Sequence, residues 1–116
     1  MTDDELWDVE RGLWTRGRAH YERWFSPDCV CAFPEPTGVM VGDAFVADLP
    51  DGGGWQSVEL TEQAVRRPAA GIAVLGYRGT RRRPDETYAS ICTSTYAEGD
   101  DGRWRLVQHQ QTPVAG

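Results

Sequence analysis

The last predicted strand, residues 103–112, carries the side chains with the clearest chemical potential. Gln108–Gln111 places four polar residues in a row where a strand normally alternates apolar and polar positions. One face of the strand packs on the core, where an unpaired polar group costs about 1–3 kcal/mol. Either Gln108 and Gln110 face inward, or His109 and Gln111 do. The inward groups then bond to a core network, to a dimer face or to a ligand.

His109 is the imidazole best placed for acid–base chemistry, because His20 falls on an aromatic helix stripe. A histidine base needs a carboxylate or a similar group to fix its tautomer. The sequence alone does not say which acid approaches His109, and a purely structural histidine is the alternative. The acidic candidates are Asp28, Glu35, Asp43, Glu59 and Glu62.

The preceding strand, residues 86–97, has one face of small polar residues framed by two phenols. Such a face suits the wall of a cavity that orients a polar ligand, and simple core packing is the alternative. The opposite face, with Ile91 and Thr93, is apolar or β-branched. The polar face consists of Tyr88, Ser90, Cys92, Ser94 and Tyr96.

Two further clusters are interpreted as structural. Cys29 and Cys31 point to one side of a strand, but zinc sites usually have two paired ligand motifs. We therefore expect small buried thiols, no metal and no cofactor. Arg81–Arg83 precedes Asp85 and Glu86 at a predicted turn, which indicates a solvated hairpin rather than an anion site.

The elements that must position these side chains fall into an early helical group and a late strand group. Apolar residues recur every three or four positions from residue 3 to 24, which predicts one long amphipathic helix. Thr2 and Glu5 form its capping box, and Pro27 prevents its continuation. The period changes to two from Cys29 onward. We predict short strands at 29–33 and 38–41, a short helix at 43–49, and strands at 55–66, 71–81, 86–97 and 103–112. This order indicates an α+β fold with an antiparallel sheet.

Composition and charge exclude several classes of protein. The 116 residues are 40% hydrophobic and include five Trp, enough to bury a core in a single domain, residues 1–116. A formal net charge of −6 opposes binding to nucleic acid or to an anionic membrane. All twelve basic residues are Arg, which excludes Schiff-base lysine and P-loop chemistry. The acidic start, Met1–Glu5, is unlike a signal peptide, and no apolar run reaches ~18–20 residues. We therefore expect a cytoplasmic protein.

Several segments, taken in order, resemble a known superfamily. The long helix runs into Trp24–Val30, followed by Phe33-Pro34 and Gly38–Gly42, and the chain closes with Gly102–Pro113. Together they resemble the nuclear transport factor 2-like superfamily, in its SnoaL-like bacterial branch. The last strand is also similar to that of the association domain of calcium/calmodulin-dependent kinases. The resemblance implies a strongly curved antiparallel sheet wrapped as a cone around the long helix, and a dimer formed through the sheet. It implies no single activity, because this fold hosts enzymes, carriers and assembly modules.

The resemblance also bears on catalysis. Ketosteroid isomerase relatives carry an acidic base just before the proline that ends the first strand, and here Phe33 holds that place before Pro34. Tyr21 falls near the oxyanion-donating tyrosine of those enzymes and is expected to hydrogen-bond a ligand instead. Polyketide-cyclase relatives use an acid and a histidine on late strands. His109 resembles that histidine, and Tyr88–Tyr96 contains no acid.

These features lead to one main hypothesis and two alternatives. The main hypothesis is a homodimer whose cone cavity binds an apolar or aromatic small molecule. The alternatives are a cyclase, isomerase or lyase with His109 as acid or base, and a non-catalytic dimerisation or assembly module with the glutamine-rich strand as its interface. The residues expected to bind the ligand are Tyr21, Trp24, Phe33, Trp55, Tyr88, Tyr96, His109 and Gln111.

Overall fold

The first helix begins where the sequence predicts it. In a computed structural model, which describes residues 1–50 and 54–114, helix α1 spans Asp3–Thr15. The Thr2 hydroxyl accepts a hydrogen bond from the Glu5 amide at 3.2 Å, and the Glu5 carboxylate accepts one from the Thr2 amide at 3.0 Å. This capping box satisfies two of the amide groups that a helix start leaves free.

The single helix predicted for residues 3–24 is wrong, because the chain forms α1 and a separate helix α2, Arg18–Trp24. Gly17 divides them with a φ of 76°, in the left-handed region that favours glycine. His20 stabilises the break, since its Nε2–H donates to the Val9 carbonyl at 2.8 Å. The apolar spacing continues across Gly17, so periodicity alone does not reveal the break.

The rest of the described chain forms a six-stranded sheet and a third helix. The elements are β1 (Phe25–Ala32), β2 (Val39–Val41), α3 (Gly42–Ala47), β3 (Val58–Arg66), β4 (Ile72–Arg83), β5 (Glu86–Glu98) and β6 (Trp104–Pro113). The strand order is β2-β1-β6-β5-β4-β3. Neighbouring strands are antiparallel except β1 and β6, which run parallel. The predicted α+β class is confirmed. The parallel pair differs from the prediction, and the long chain segment between β1 and β6 is what permits it.

A bulge in β6 decides which polar side chains point inward. The register skips Val107, because Leu106 pairs with Tyr96 while Gln108 pairs with the residue before Tyr96. The bulge reverses the alternation, so Leu106 and His109 both lie on the buried face. Neither of the two simple alternations considered from the sequence holds along the whole strand.

The core lies between α1 and the inner face of the sheet. Register shifts in the β1–β6, β3–β4 and β5–β6 pairs help to bend the sheet around the helix. Among the described residues, no helix has the length and apolar character needed to cross a membrane. The buried core consists of Leu6, Trp7, Val9, Leu13, Trp14, Phe25, Cys29, Cys31, Val58, Leu60, Ala73, Leu75, Tyr77, Cys92, Tyr96 and Leu106.

Candidate ligand-binding site

A cavity of about 260 Å³ lies between the inner face of the sheet and the helices. Its wall is mainly aromatic and aliphatic with a few polar groups, as in many small-molecule sites. The volume falls just below the range of roughly 300–1,000 Å³ common for ligand pockets, which favours a small ligand. The residues that line it include Trp14, Tyr21, Phe33, Phe45, Trp55, Arg81 and Gln111.

One wall of the cavity is a cluster of aromatic rings. The Phe45 centroid lies 5.6 Å from that of Tyr21, 5.8 Å from that of Phe25 and 4.8 Å from that of Phe33. Tyr21 also meets Phe25 edge to face at 4.8 Å. Burial raises the pKa of the Tyr21 phenol above its usual value. The hydroxyl therefore keeps its proton at neutral pH and can act as a donor.

Behind the cavity lies a buried polar network centred on Glu10 of α1. The fully buried carboxylate accepts hydrogen bonds from the hydroxyl of Tyr77, from that of Ser94 at 2.7 Å and from that of Tyr96 at 2.7 Å. The Trp14 indole N–H donates to the Tyr77 hydroxyl at 3.1 Å. Both carboxylate oxygens are thus satisfied by donors, as burial of such a group requires.

The network reaches the cavity through His109 and Gln111. Because the Ser94 proton goes to Glu10, Ser94 Oγ accepts from His109 Nδ1–H at 2.7 Å. His109 Nε2 in turn accepts from the Gln111 amide nitrogen at 3.0 Å. His109 is therefore the neutral tautomer with its proton on Nδ1, and all donors point from Gln111 toward Glu10.

Burial sets the protonation states in this network. Desolvation lowers the pKa of His109, and the Glu10 carboxylate, 3.7 Å from Nδ1, opposes that effect. Desolvation raises the pKa of Tyr77 and of Tyr96 well above the usual phenol value, and the charge of Glu10 adds to the effect. At neutral pH the imidazole is uncharged, and both phenols keep the protons that they donate.

Arg81 is one of two cationic residues in the cavity wall, the other being Arg18 of α2. The Arg81 guanidinium carbon lies 4.6 Å from the ring centre of Trp14 and 5.4 Å from that of Trp55. Its Nη1 donates to Ser90 Oγ at 3.2 Å. The prediction that Arg81–Arg83 is a solvated hairpin is wrong for Arg81, because the inward-facing alternation of β4 continues to this residue.

Four of the eight residues expected to bind a ligand line this cavity. They are Tyr21 of α2, Phe33 just after β1, Trp55 before β3 and Gln111 of β6. Four segments far apart in the chain therefore contribute to one wall. Their roles toward a ligand stay predictions.

The other four residues lie outside the cavity wall. Trp24 contacts Arg23 and lines a separate surface cavity. Tyr88 is 38% exposed and lines a different cavity. Tyr96 is fully buried in the Glu10 network, and His109 is one hydrogen bond behind the cavity, covered by Gln111. The sequence left open which sides of β5 and β6 point inward. In the structure Tyr96 and His109 both lie on the buried face of the sheet.

Two residues of the site were not predicted from the sequence: Glu10 as the acid that approaches His109, and Arg81 as a cavity residue. The signal for Glu10 was an acid on the apolar stripe of α1, between Leu6 and Leu13. The signal for Arg81 was its place in the period-two alternation of β4. The acids proposed from the sequence are all exposed, and no ion pair joins them to His109: Asp28, Glu35, Asp43, Glu59 and Glu62.

The two β1 cysteines are buried thiols, as expected. Cys29 and Cys31 are fully buried, and their Sγ atoms lie 3.8 Å apart. Within residues 1–50 and 54–114, no group of three or more His, Cys, Asp and Glu side chains could hold a metal ion.

The sequence matches no protein-family model and no curated protein. Solved structures, in contrast, share its fold. A candidate ketosteroid isomerase from Parabacteroides distasonis superposes with a TM-score of 0.79 at 17% identity, over 94% of this chain and 85% of that chain. The association domain of calcium/calmodulin-dependent kinase II from C. elegans gives 0.71 at 16% identity, over 94% and 90% of the two chains.

A third structure extends over nearly the whole length of both proteins. The nuclear transport factor 2-like protein from Cytophaga hutchinsonii gives a TM-score of 0.72 at 14% identity, over 98% of this chain and 100% of that chain. At these identities the likeness concerns the fold, and it agrees with the resemblance inferred from the sequence. The chain adopts the nuclear transport factor 2-like fold, with its α-helices packed in a curved, unclosed sheet.

Proposed function

We propose that this chain, as a single domain, binds a small apolar or aromatic molecule in the cavity beside Gln111. The observation that carries the proposal is an aromatic cavity with an oriented amide in its wall. The Gln111 nitrogen is held by His109 at 3.0 Å, and His109 is held by Ser94 at 2.7 Å. A polar group fixed before binding loses little side-chain entropy when a ligand arrives.

The test is a two-dimensional NMR titration of the indole N–H signals with 2-naphthamide, a neutral bicyclic aromatic. At about −0.3 kcal/mol for each of its thirteen non-hydrogen atoms, binding is worth about −4 kcal/mol, which is a Kd of about 1 mM. We expect the signals of Trp14 and Trp55, which line the cavity, to shift with this Kd or a lower one. The signals of Trp7, Trp24 and Trp104 serve as internal references because these residues do not line it.

A matched pair of variants locates the binding. Leu49 lines the cavity, so Leu49→Trp should fill it and abolish the shifts at Trp14 and Trp55. Ala47→Trp adds the same side chain at an exposed position that lines a neighbouring cavity, and should leave the Kd unchanged. The proposal fails if 2-naphthamide and its carboxylate counterpart 2-naphthoate both leave all five indole signals in place.

A second candidate function is acid–base catalysis of the cyclase, isomerase or lyase type. The observation in its favour is the Glu10 carboxylate, 3.7 Å from His109 Nδ1 and bridged to it by the Ser94 hydroxyl. Such a carboxylate stabilises an imidazolium. Gln111 covers His109 Nε2, however, so a substrate must displace that amide to reach the base. Full activity of a His109→Gln variant on an identified substrate would remove this role.

We also propose self-association through the outer face of the sheet, which is the homodimer expected from the sequence. Val30 and Val41 pair across β1 and β2, and both are about half exposed at 51% and 47%. Val39 and Ile91 lie on the same sheet, and their side chains are 76% and 42% exposed. Light scattering coupled to size exclusion tests this, and a monomer at every concentration would exclude it. Membership of the SnoaL-like branch and a cytoplasmic location stay predictions.

A further inference from the structure

Arg18, which lines the same mostly apolar wall, donates to the carbonyl oxygens of Val46 and Ala47 and lies 3.9 Å from the Glu22 carboxylate. Arg81 is the second cationic side chain of that wall. It lies at the inward-facing end of β4, on the face that carries Tyr77 and Gly79. The Tyr77 ring and the Trp14 indole both lie close to Gly79, since a Cβ there would be 3.3 Å from the first and 3.6 Å from the second. The indole of Trp14 covers one side of the Arg81 guanidinium, whose carbon lies 4.6 Å from the ring centre.

The charge of Arg81 has no acidic partner among the described residues. Its Nε is buried and forms no hydrogen bond, and Nη1 bonds only to the neutral Ser90 hydroxyl. Arg16, Arg23, Arg66, Arg83 and Arg103 also have no ion pair among the described residues, but these five are exposed to solvent, whereas Arg81 is half-buried. Other arginines find a carboxylate on the surface, in the pairs Arg11–Asp8, Arg67–Asp3, Arg78–Glu62, Arg82–Glu59 and Arg105–Asp101.

A partly buried guanidinium without a counter-charge is costly, and an incoming anion removes that cost. Burial lowers the pKa of Arg81, but a guanidinium stays charged at neutral pH. The rings of Trp14 and Trp55 contact the guanidinium and limit its movement. A planar guanidinium held in this way presents N–H groups in the fork that matches a carboxylate.

We propose that Arg81 binds the carboxylate of the ligand, so that the ligands of the cavity proposed above are small aromatic carboxylates. The aromatic body contacts the rings of the cavity wall, and Gln111 provides a second polar contact on the same cavity. The ligand class is thereby narrowed from any small aromatic molecule to one with an anionic end.

The test compares 2-naphthoate with 2-naphthamide, which have the same ring and nearly the same shape. A charge-assisted hydrogen bond contributes about 1.5–3 kcal/mol, part of which offsets desolvation of the carboxylate. We expect the wild-type protein to bind naphthoate about tenfold more tightly. Arg81→Gln should remove that preference and leave the Kd for naphthamide within about threefold of the wild-type value.

Two further variants separate the role of Arg81 from net charge and from folding. Arg82→Gln removes one positive charge at the next residue, whose side chain is exposed and paired with Glu59, and should keep the tenfold preference. Arg81→Lys keeps the charge without the fork and should retain only part of the preference. Thermal unfolding of each variant shows whether it is folded at the titration temperature.

The outcomes distinguish this inference from the proposed function. Equal binding of naphthoate and naphthamide to the wild-type cavity overturns the role of Arg81 and leaves ligand binding intact. A tenfold preference that survives in Arg81→Gln also overturns it. Absence of binding by both compounds overturns the ligand-binding function itself.

Discussion

The Tyr77 hydroxyl is the most informative single group to remove. It donates to Glu10 Oε2 and accepts from the Trp14 indole N–H at 3.1 Å. The tyrosine ring is buried in the core, so Tyr77→Phe keeps its packing and deletes one oxygen atom. The substitution therefore breaks two hydrogen bonds at once and leaves a buried indole N–H without its acceptor.

The cost follows from these two bonds. Loss of a hydrogen bond to a charged group costs about 1.5–3 kcal/mol, and a buried donor without a partner costs about 1–3 kcal/mol. We expect Tyr77→Phe to lower the free energy of unfolding by about 3–5 kcal/mol. Tyr96→Phe removes a hydroxyl whose hydrogen bond goes to Glu10 Oε1, and should cost about 1.5–3 kcal/mol.

The assay is equilibrium unfolding in urea, followed by far-ultraviolet circular dichroism so that the signal does not depend on Trp14. With a slope of about 1–3 kcal/mol per molar urea, Tyr77→Phe should lower the midpoint by about 1 M or more. Tyr88→Phe is the matched control. Tyr88 is 38% exposed and its ring contacts Trp55, so we expect a change within about 0.5 kcal/mol.

A double-mutant cycle isolates the indole bond. In a Trp14→Phe background no indole N–H remains, so the further change Tyr77→Phe should cost about 1–3 kcal/mol less than in the wild-type protein. The reasoning is refuted if Tyr77→Phe costs no more than Tyr96→Phe. It is also refuted if the two substitutions in the cycle are additive.

Two other predictions concern the histidines. In Gly12→Ala the new Cβ would lie 2.5 Å from the His20 ring, so the imidazole must move and lose its hydrogen bond to the Val9 carbonyl. We expect thermal unfolding to show a net loss of about 1–2 kcal/mol in the free energy of unfolding, despite the better helix propensity of alanine. A gain in stability would contradict this. Burial lowers the folded-state pKa of His109 and of His20, so the unfolded chain binds protons first as the pH falls below about 6.5. Urea midpoints should therefore fall from pH 6.5 toward pH 5, with each histidine contributing at most about 1.4 kcal/mol per pH unit. His109→Gln should fall less steeply, and a slope equal to that of the wild-type protein would exclude the contribution of His109.

The sequence was sufficient for the element types and the fold class. The change from a three-to-four-residue period to a period of two near Cys29 separates the helical part from the strands. The capping box at Thr2 and Glu5 marks the first helix start, because it depends only on neighbouring residues. Signals of this kind are local, and the structure agrees with them.

The same local signals failed where a single residue changes the backbone path. The apolar spacing runs through Gly17, and only its left-handed φ of 76° divides the helix. Val107 fits either face of β6, and the register with β5 makes it the bulged residue. That bulge turns His109 inward beside Leu106, a placement that strict alternation could not give.

The candidate site was only half predictable, for a related reason. Tyr21 and Phe33 could be predicted as residues of a cavity wall from residue type alone, because large aromatic rings gain much from burial. Glu10 and Arg81 are of charged residue types that usually lie on the surface. Glu10 faces the core because α1 carries it against three hydroxyl groups of β4 and β5, and Arg81 faces the cavity because Trp14 and Trp55 contact its guanidinium. The sequence determined from local pattern the types of the elements and part of the aromatic wall. Only the tertiary structure placed the buried charges, because the hydroxyl groups that donate to Glu10 and the indole rings that contact Arg81 lie far away in the chain.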